Sequence, residues 1–144
     1  MRFLDTNVLL YSVGTDPSEA HQRAVSLDLL TETHNALSVQ VLQEFYVQAT
    51  RVTRRDALTH PQAVNLIHSW LRFPVLDVSK ALLLRALEIK KDHQLSYWDG
   101  AIVAAAQALQ CRFLYTEDLN HGQVFGGVEV VNPFREQDSP PAPE

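Results

Sequence analysis

The chain has 144 residues, 46% hydrophobic and 20% charged, which is ordinary composition for one globular domain with a real core. A single cysteine, Cys111, excludes an internal disulfide and points to a reducing cytoplasm, and no apolar run reaches membrane-spanning length, so a soluble cytoplasmic protein with no membrane partner is expected. The net charge of -5 has the wrong sign for binding by broad phosphate neutralisation; acids gathered around a cation, or a basic partner, account for it better.

In chain order, residues 2–5 read as a short buried strand and 7–13 as a helix starting near Thr6 or Asn7. Asp16-Pro17-Ser18-Glu19 is a helix start, and that helix runs to about Leu30 with Ala20, Ala24, Leu27 and Leu30 on one face. Ala36-Leu37-Ser38 reads as a strand, and Ser38 caps a helix from Val39 to about Thr50 carrying Leu42, Phe45 and Ala49. Asp56 opens a helix with Ala63, Leu66, Ile67 and Trp70 in step. Phe73-Pro74-Val75-Leu76-Asp77 reads as a short strand. Ser79 then caps a helix with Leu83, Leu87 and Lys90 in step, and Ser96 starts another from Tyr97 to about Leu109. Arg112-Phe113-Leu114-Tyr115 and Val128-Glu129-Val130-Val131 complete the strands. Residues 1–135 form the domain; 136–144 are Pro-rich and polar and read as a disordered tail. Alternating strands and helices predict an α/β fold with a mainly parallel sheet covered on both faces. Sites in such sheets form beyond the carboxyl ends of strands.

Four acids stand at the joints of this pattern: Asp5, Glu44, Asp99 and Asp118. Each has an ordinary reading. Asp5 caps a helix, Glu44 lies on a helix face, Asp99 completes a Ser96-x-x-Asp99 capping pattern, and Asp118 sits in a turn. Together they have another. Carboxylates beside apolar segments are costly unless compensated, and hard cations such as Mg²⁺ or Mn²⁺ take oxygen ligands from several segments at once. Such a cation activates water for phosphodiester hydrolysis without a protein nucleophile. The helix end beside Asp99 favours its ionised form.

The segments Leu4-Asp5-Thr6-Asn7-Val8-Leu9, Ser38-Val39-Gln40-Val41-Leu42-Gln43-Glu44-Phe45-Tyr46, Leu95-Ser96-Tyr97-Trp98-Asp99-Gly100-Ala101-Ile102 and Thr116-Glu117-Asp118-Leu119-Asn120-His121-Gly122 resemble the successive motifs of PIN-domain proteins. The nearest resemblance is to the VapC-type toxin ribonucleases of toxin–antitoxin pairs, and it runs from Met1 to about Phe134. It implies a three-layer α/β/α sandwich and a Mg²⁺- or Mn²⁺-dependent endoribonuclease. It further implies an RNA substrate, a small antitoxin partner and a homodimer. Carried over by motif, Asp5, Glu44 and Asp99 are the core metal-binding and catalytic acids and Asp118 the fourth. The last motif departs from the family pattern. Many relatives have an Asn or Asp at the Asp118 position and a further Asp before a Phe, where this chain has Asn120-His121-Gly122. Glu117 and Asp118 therefore both stand as candidates. Thr6 and Thr116 are placed to hydrogen-bond the ligating carboxylates, or to serve in turns and caps.

Other residues invite weaker readings. Of the six histidines, none at a tight metal-ligand spacing, only His121 falls near the acids. Arg51-Val52-Thr53-Arg54-Arg55 is the one basic cluster, either an RNA-backbone grip or a solvated helix end. Tyr97 and Trp98 flank Asp99 and are expected to pack in the core, with base stacking as the alternative. Two other functions remain open. A non-catalytic PIN-like RNA-binding scaffold would usually have lost an acid. A doubly wound phosphotransfer domain of the haloacid-dehalogenase type wants Asp-x-Asp where Asn7 stands, and a receiver domain wants paired early acids and a late Lys.

Overall fold

The computed structural model describes residues 1–135, so the tail expected over 136–144 lies outside the described residues. Short strands β1 (Arg2–Leu4), β2 (Asn35–Ser38), β3 (Val75–Leu76), β4 (Phe113–Tyr115), β5 (Val124–Phe125) and β6 (Val128–Val131) form one six-stranded sheet in the order β3-β2-β1-β4-β6-β5. Every pairing is parallel except the β5–β6 hairpin. The helices are α1 (Thr6–Val13), α2 (Ala20–Thr31), α3 (Val39–Ala49), α4 (His60–Trp70), α5 (Lys80–His93) and α6 (Tyr97–Ala108), with a 3-10 turn at Pro17–Glu19 before α2.

The chain steps from β1 to β2 to β3, then returns across the sheet to β4. Right-handed crossovers therefore put α1–α4 on one face and α5–α6 on the other. The packing agrees: α1 lies against α2 and α3, and α5 lies along α6. This is the expected three-layer α/β/α arrangement. Phe3, Leu4, Leu37 and Leu114 are completely buried, as strands covered on both faces require.

The direction of winding reverses between β1 and β4, and a crevice opens there past their carboxyl ends. The backbone fixes what sits at its edge. The Asp5 N–H donates to the Tyr115 carbonyl at 3.0 Å, and the Thr116 N–H to the Val131 carbonyl at 3.1 Å. Gly100 places α6. A Cβ there would stand 2.9 Å from the Ala86 carbonyl oxygen, so only glycine lets α5 and α6 approach this closely.

Several sequence expectations change. The α4 helix starts at His60 rather than Asp56, because Thr59 and Gln62 form a reciprocal capping box and Pro61 sits in the first turn. Asp56 is used elsewhere: it accepts from the Thr15 N–H at 2.7 Å and pairs with Arg54 at 2.9 Å. The buried face of α2, which packs against α1, runs through Ser26, Leu29 and Leu30, leaving Ala20, Ala24 and Leu27 exposed. On α5 the buried residues are Ala86 and Ile89, not Leu83 and Leu87, because α6 lies against the Ala86 backbone. The β5 strand has no counterpart in the sequence reading. Its Val124–Phe125 pair is too short to show a period.

Candidate active site

Asp5 ends β1 and caps α1. Its Oδ1 accepts the Thr6 N–H at 2.7 Å, and its Oδ2 accepts the Thr116 hydroxyl at 2.8 Å. The capping reading is therefore true of Asp5, and it does not exclude the other: Asp5 also lines a cavity of about 670 Å³. The residue is only 5% exposed. Burial pushes its carboxyl up to about 7 against the lowering hydrogen bonds from Thr6 and Thr116, and the charges of Asp118 and Glu44 add to the rise.

The other three acids line the same cavity, each from a separate segment. Glu44 comes from the middle of α3. Its Oε2 accepts the Thr6 hydroxyl at 2.7 Å, and its Oε1 accepts the Gln40 amide, one helical turn back, at 2.9 Å. Asp99 comes from the first turn of α6, where its N–H donates to Ser96 Oγ at 3.1 Å. Burial raises the Asp99 pKa, and the charges of Asp118 and Glu44 raise it further, against the lowering hydrogen bond from Ser96. Asp118 is exposed in the loop after β4. Its N–H donates to Thr116 Oγ1 at 3.0 Å, and its Oδ2 accepts the Asn7 amide at 3.3 Å.

Glu117 and Asp118 separate by their surroundings. Glu117 lines the cavity, but its Oε1 accepts the Tyr11 hydroxyl at 2.8 Å. Burial, then that hydrogen bond, raise the Tyr11 phenol. Asp118 is the one whose charge bears on both Asp5 and Asp99. His121 lies outside the cavity lining; its Nδ1 accepts the Asn132 N–H at 3.0 Å and ties the loop to the end of β6. Of the aromatic pair, Tyr97 packs against the core as expected, whereas Trp98 is 62% exposed at the cavity rim.

Asn7 was not singled out from the sequence as a site residue. Its Nδ2 reaches Thr116 Oγ1 at 3.2 Å as well as Asp118, while its Oδ1 is buried without a hydrogen-bond partner. The available signal was its place two residues after Asp5, in the first turn of a helix leaving the carboxyl end of a central strand. Arg54 and Arg55 of the basic cluster line the same cavity as the acids.

As they stand, no three His, Cys, Asp or Glu side chains among the described residues are arranged to hold a metal ion. The carboxylate oxygens of Asp5 and Glu44 are engaged by Thr6, Thr116 and Gln40. The donor chemistry is nevertheless that of a hard divalent cation: carboxylates and one orphaned amide oxygen, with no thiol or imidazole.

Comparisons with known proteins bear on the fold and the family. The PIN domain family matches residues 2–125. Among solved structures, the fold is similar to a toxin–antitoxin complex from Klebsiella pneumoniae, at 20% identity and TM-score 0.69, covering 92% of this chain and 98% of that one. It is similar to VapC20 of Mycobacterium tuberculosis, a toxin that cleaves the sarcin–ricin loop, at 20% identity and TM-score 0.65, covering 82% and 92%. It is also similar to DNA-bound VapBC from Salmonella typhimurium, at 17% identity and TM-score 0.61, covering 90% and 95%. No curated protein sequence gives a significant match. The family match spans most of the chain, and the sheet order, the winding reversal and the acids gathered at it accompany that match: the chain belongs to the PIN domain family.

Proposed function

We propose that the protein is the endoribonuclease toxin of a toxin–antitoxin pair, hydrolysing RNA with Mg²⁺ or Mn²⁺. One observation carries the reading. Asp5, Glu44, Asp99 and Asp118 reach one cavity from four segments, and among the described residues none of them makes an ion pair. Gathered carboxylates that no ion pair offsets repel one another and weaken the fold, and the carboxyls of Asp5 and Asp99 are raised, so their convergence calls for a cation.

Asp5, Glu44, Asp99 and Asp118 would hold the ion, with the Asn7 amide oxygen beside them. Bound there, a divalent cation supplies activation of water and neutralisation of charge on the phosphate. The chain's own residues orient and hold. Thr116 donates to Asp5 and receives the N–H of Asp118, so one hydroxyl sets two acids. Thr6 does the same from α1: its N–H fixes Asp5 and its hydroxyl fixes Glu44. Attack by water rather than by the ribose 2′-hydroxyl leaves 5′-phosphate and 3′-hydroxyl ends.

The antitoxin follows from the same charges. A small basic partner that seats an Arg in the acidic cavity displaces the metal, because the guanidinium fork matches a carboxylate pair. The structures of similar fold from Klebsiella and Salmonella, both toxin–antitoxin assemblies, support that partner. A homodimer is the expected solution state.

The test is cleavage of a fluorogenic RNA with Mn²⁺ or Mg²⁺, against EDTA and against Asp99→Asn. Cleavage should need the metal and be lost in the variant. Metal-independent cleavage, or products ending in 2′,3′-cyclic phosphate, would overturn the reading.

A further inference from the structure

The α3 helix carries a second stripe of unusual composition. Gln40, Gln43, Glu44, Val47 and Gln48 recur at helical spacing and, with Arg51 just past the helix end and Trp98, line a groove of about 480 Å³. Glu44, Gln48 and Trp98 line the acidic cavity too, so groove and cavity are continuous.

The two tryptophans contrast sharply. Trp70 is 3% exposed and Trp98 is 62% exposed, with Val47 beside it at 56%. The Trp98 ring stands edge-on to Tyr97 with centroids 5.0 Å apart, and the Trp98 carbonyl accepts the Gln40 amide at 3.5 Å. The amide of Gln40 is thus engaged by Glu44 and Trp98, while Gln43 and Gln48 are exposed beside the ring. Each of those two amides offers both a donor and an acceptor. Arg51 is exposed and, among the described residues, makes no ion pair, whereas Arg54 is fixed to Asp56. An aromatic face, neutral amides and a free guanidinium match the three parts of an unpaired nucleotide: ring, base edge and phosphate.

We propose that this groove is a subsite for one unpaired RNA nucleotide next to the scissile phosphate. Trp98 stacks on its base, Gln43 and Gln48 bond its edge, and Arg51 meets its phosphate. The substrate class rests on the nuclease reading; the subsite adds selection of unpaired over paired RNA. A duplex cannot use it, because its bases are already stacked and their edges paired.

Binding tests the subsite directly, measured in EDTA at low salt so that no cleavage intervenes. The probe is a labelled mixed-sequence single strand of about 12 nucleotides, with the annealed duplex as comparator. Wild type should prefer the single strand. Trp98→Ala should weaken that binding at least about tenfold, and Trp98→Phe, which keeps a stacking face, should stay within about threefold of wild type. Arg51→Gln should lower the salt slope of single-strand binding by about 0.7. Acrylamide quenching of the exposed tryptophan should fall when the single strand binds. Equal binding by wild type and Trp98→Ala, equal losses in Ala and Phe, or no preference for the single strand would overturn the subsite. Any of these, alongside Mn²⁺-dependent cleavage by wild type, removes the subsite and leaves the nuclease. The expected pattern without cleavage keeps the subsite and removes the nuclease.

Discussion

The two long faces of α3 are built to opposite rules. On the inner face Val41, Leu42, Phe45 and Ala49 are buried, and Phe45 meets Trp70 edge to face with centroids 4.7 Å apart. On the outer face Glu44 lines the cavity that Asp5, Asp99 and Asp118 also line, and Val47 and Gln48, with Arg51 just past the helix end, line the groove beside Trp98. The inner face removes apolar area from water and holds the domain together. The outer face keeps charge and apolar surface where neither stabilises the fold. One helix thus separates what folds the protein from what works in it.

That separation predicts opposite outcomes for neighbouring substitutions. Phe45→Ala should cost about 3–5 kcal/mol in chemical denaturation, while folded molecules keep their cleavage rate. Glu44→Gln, one residue away, should do the reverse. RNA cleavage should fall at least about 100-fold, a loss of about 2.7 kcal/mol of transition-state stabilisation, with little change in melting temperature. Loss of folding in Glu44→Gln would break the comparison.

Asp5 belongs to both sides, and pH separates its roles. Its carboxyl stands at about 7 in the fold against 3.8 as the ordinary value. Between roughly pH 4 and pH 7 the folded state therefore binds this proton more than the unfolded state does. Stability of the metal-free protein should fall as pH rises through that window and level off above it. Asp5→Asn removes the titration and keeps the cap. Above pH 7 the variant should be more stable in EDTA by about 1 kcal/mol, a few degrees for a domain of this size. Parallel melting curves across the window would contradict this account of Asp5. The smallest effect is at the rim. Tyr11→Phe removes the hydrogen bond to Glu117 and should cost about 1 kcal/mol or less, with cleavage nearly unchanged. A collapse of cleavage there would make Glu117, not Asp118, the fourth acid.

The four acids and the strands before Asp5 and Asp118 were legible because strand ends and caps carry short-range signals: apolar runs broken by Asp, and Ser at helix starts. The faces of α2 and α5 were misread because their sequences offer more than one apolar stripe, and contacts with distant helices choose between them. Asn7 was hidden, and Trp98 was expected in the core although it is exposed, for a related reason. The partners of Asn7 are Thr116 and Asp118, more than a hundred residues away, and Trp98 borders a groove made by another helix. The hydrogen bonds of Asp56 to Thr15 are also non-local, so a helix-start signal in the sequence became a loop clamp in the fold.

The central claim is that Asp5, Glu44, Asp99 and Asp118 form one cation site, and thermal melting with added Mn²⁺ tests it most directly. A ligand that binds only the folded state raises the melting temperature, by an amount that grows with the logarithm of its concentration above its dissociation constant. Mn²⁺ should therefore raise that of wild type by several degrees at saturating concentration, and that of Asp5→Asn much less. Equal shifts in the two proteins would mean that Asp5 is no ligand, and the four acids would then be caps and turns that happen to share a cavity.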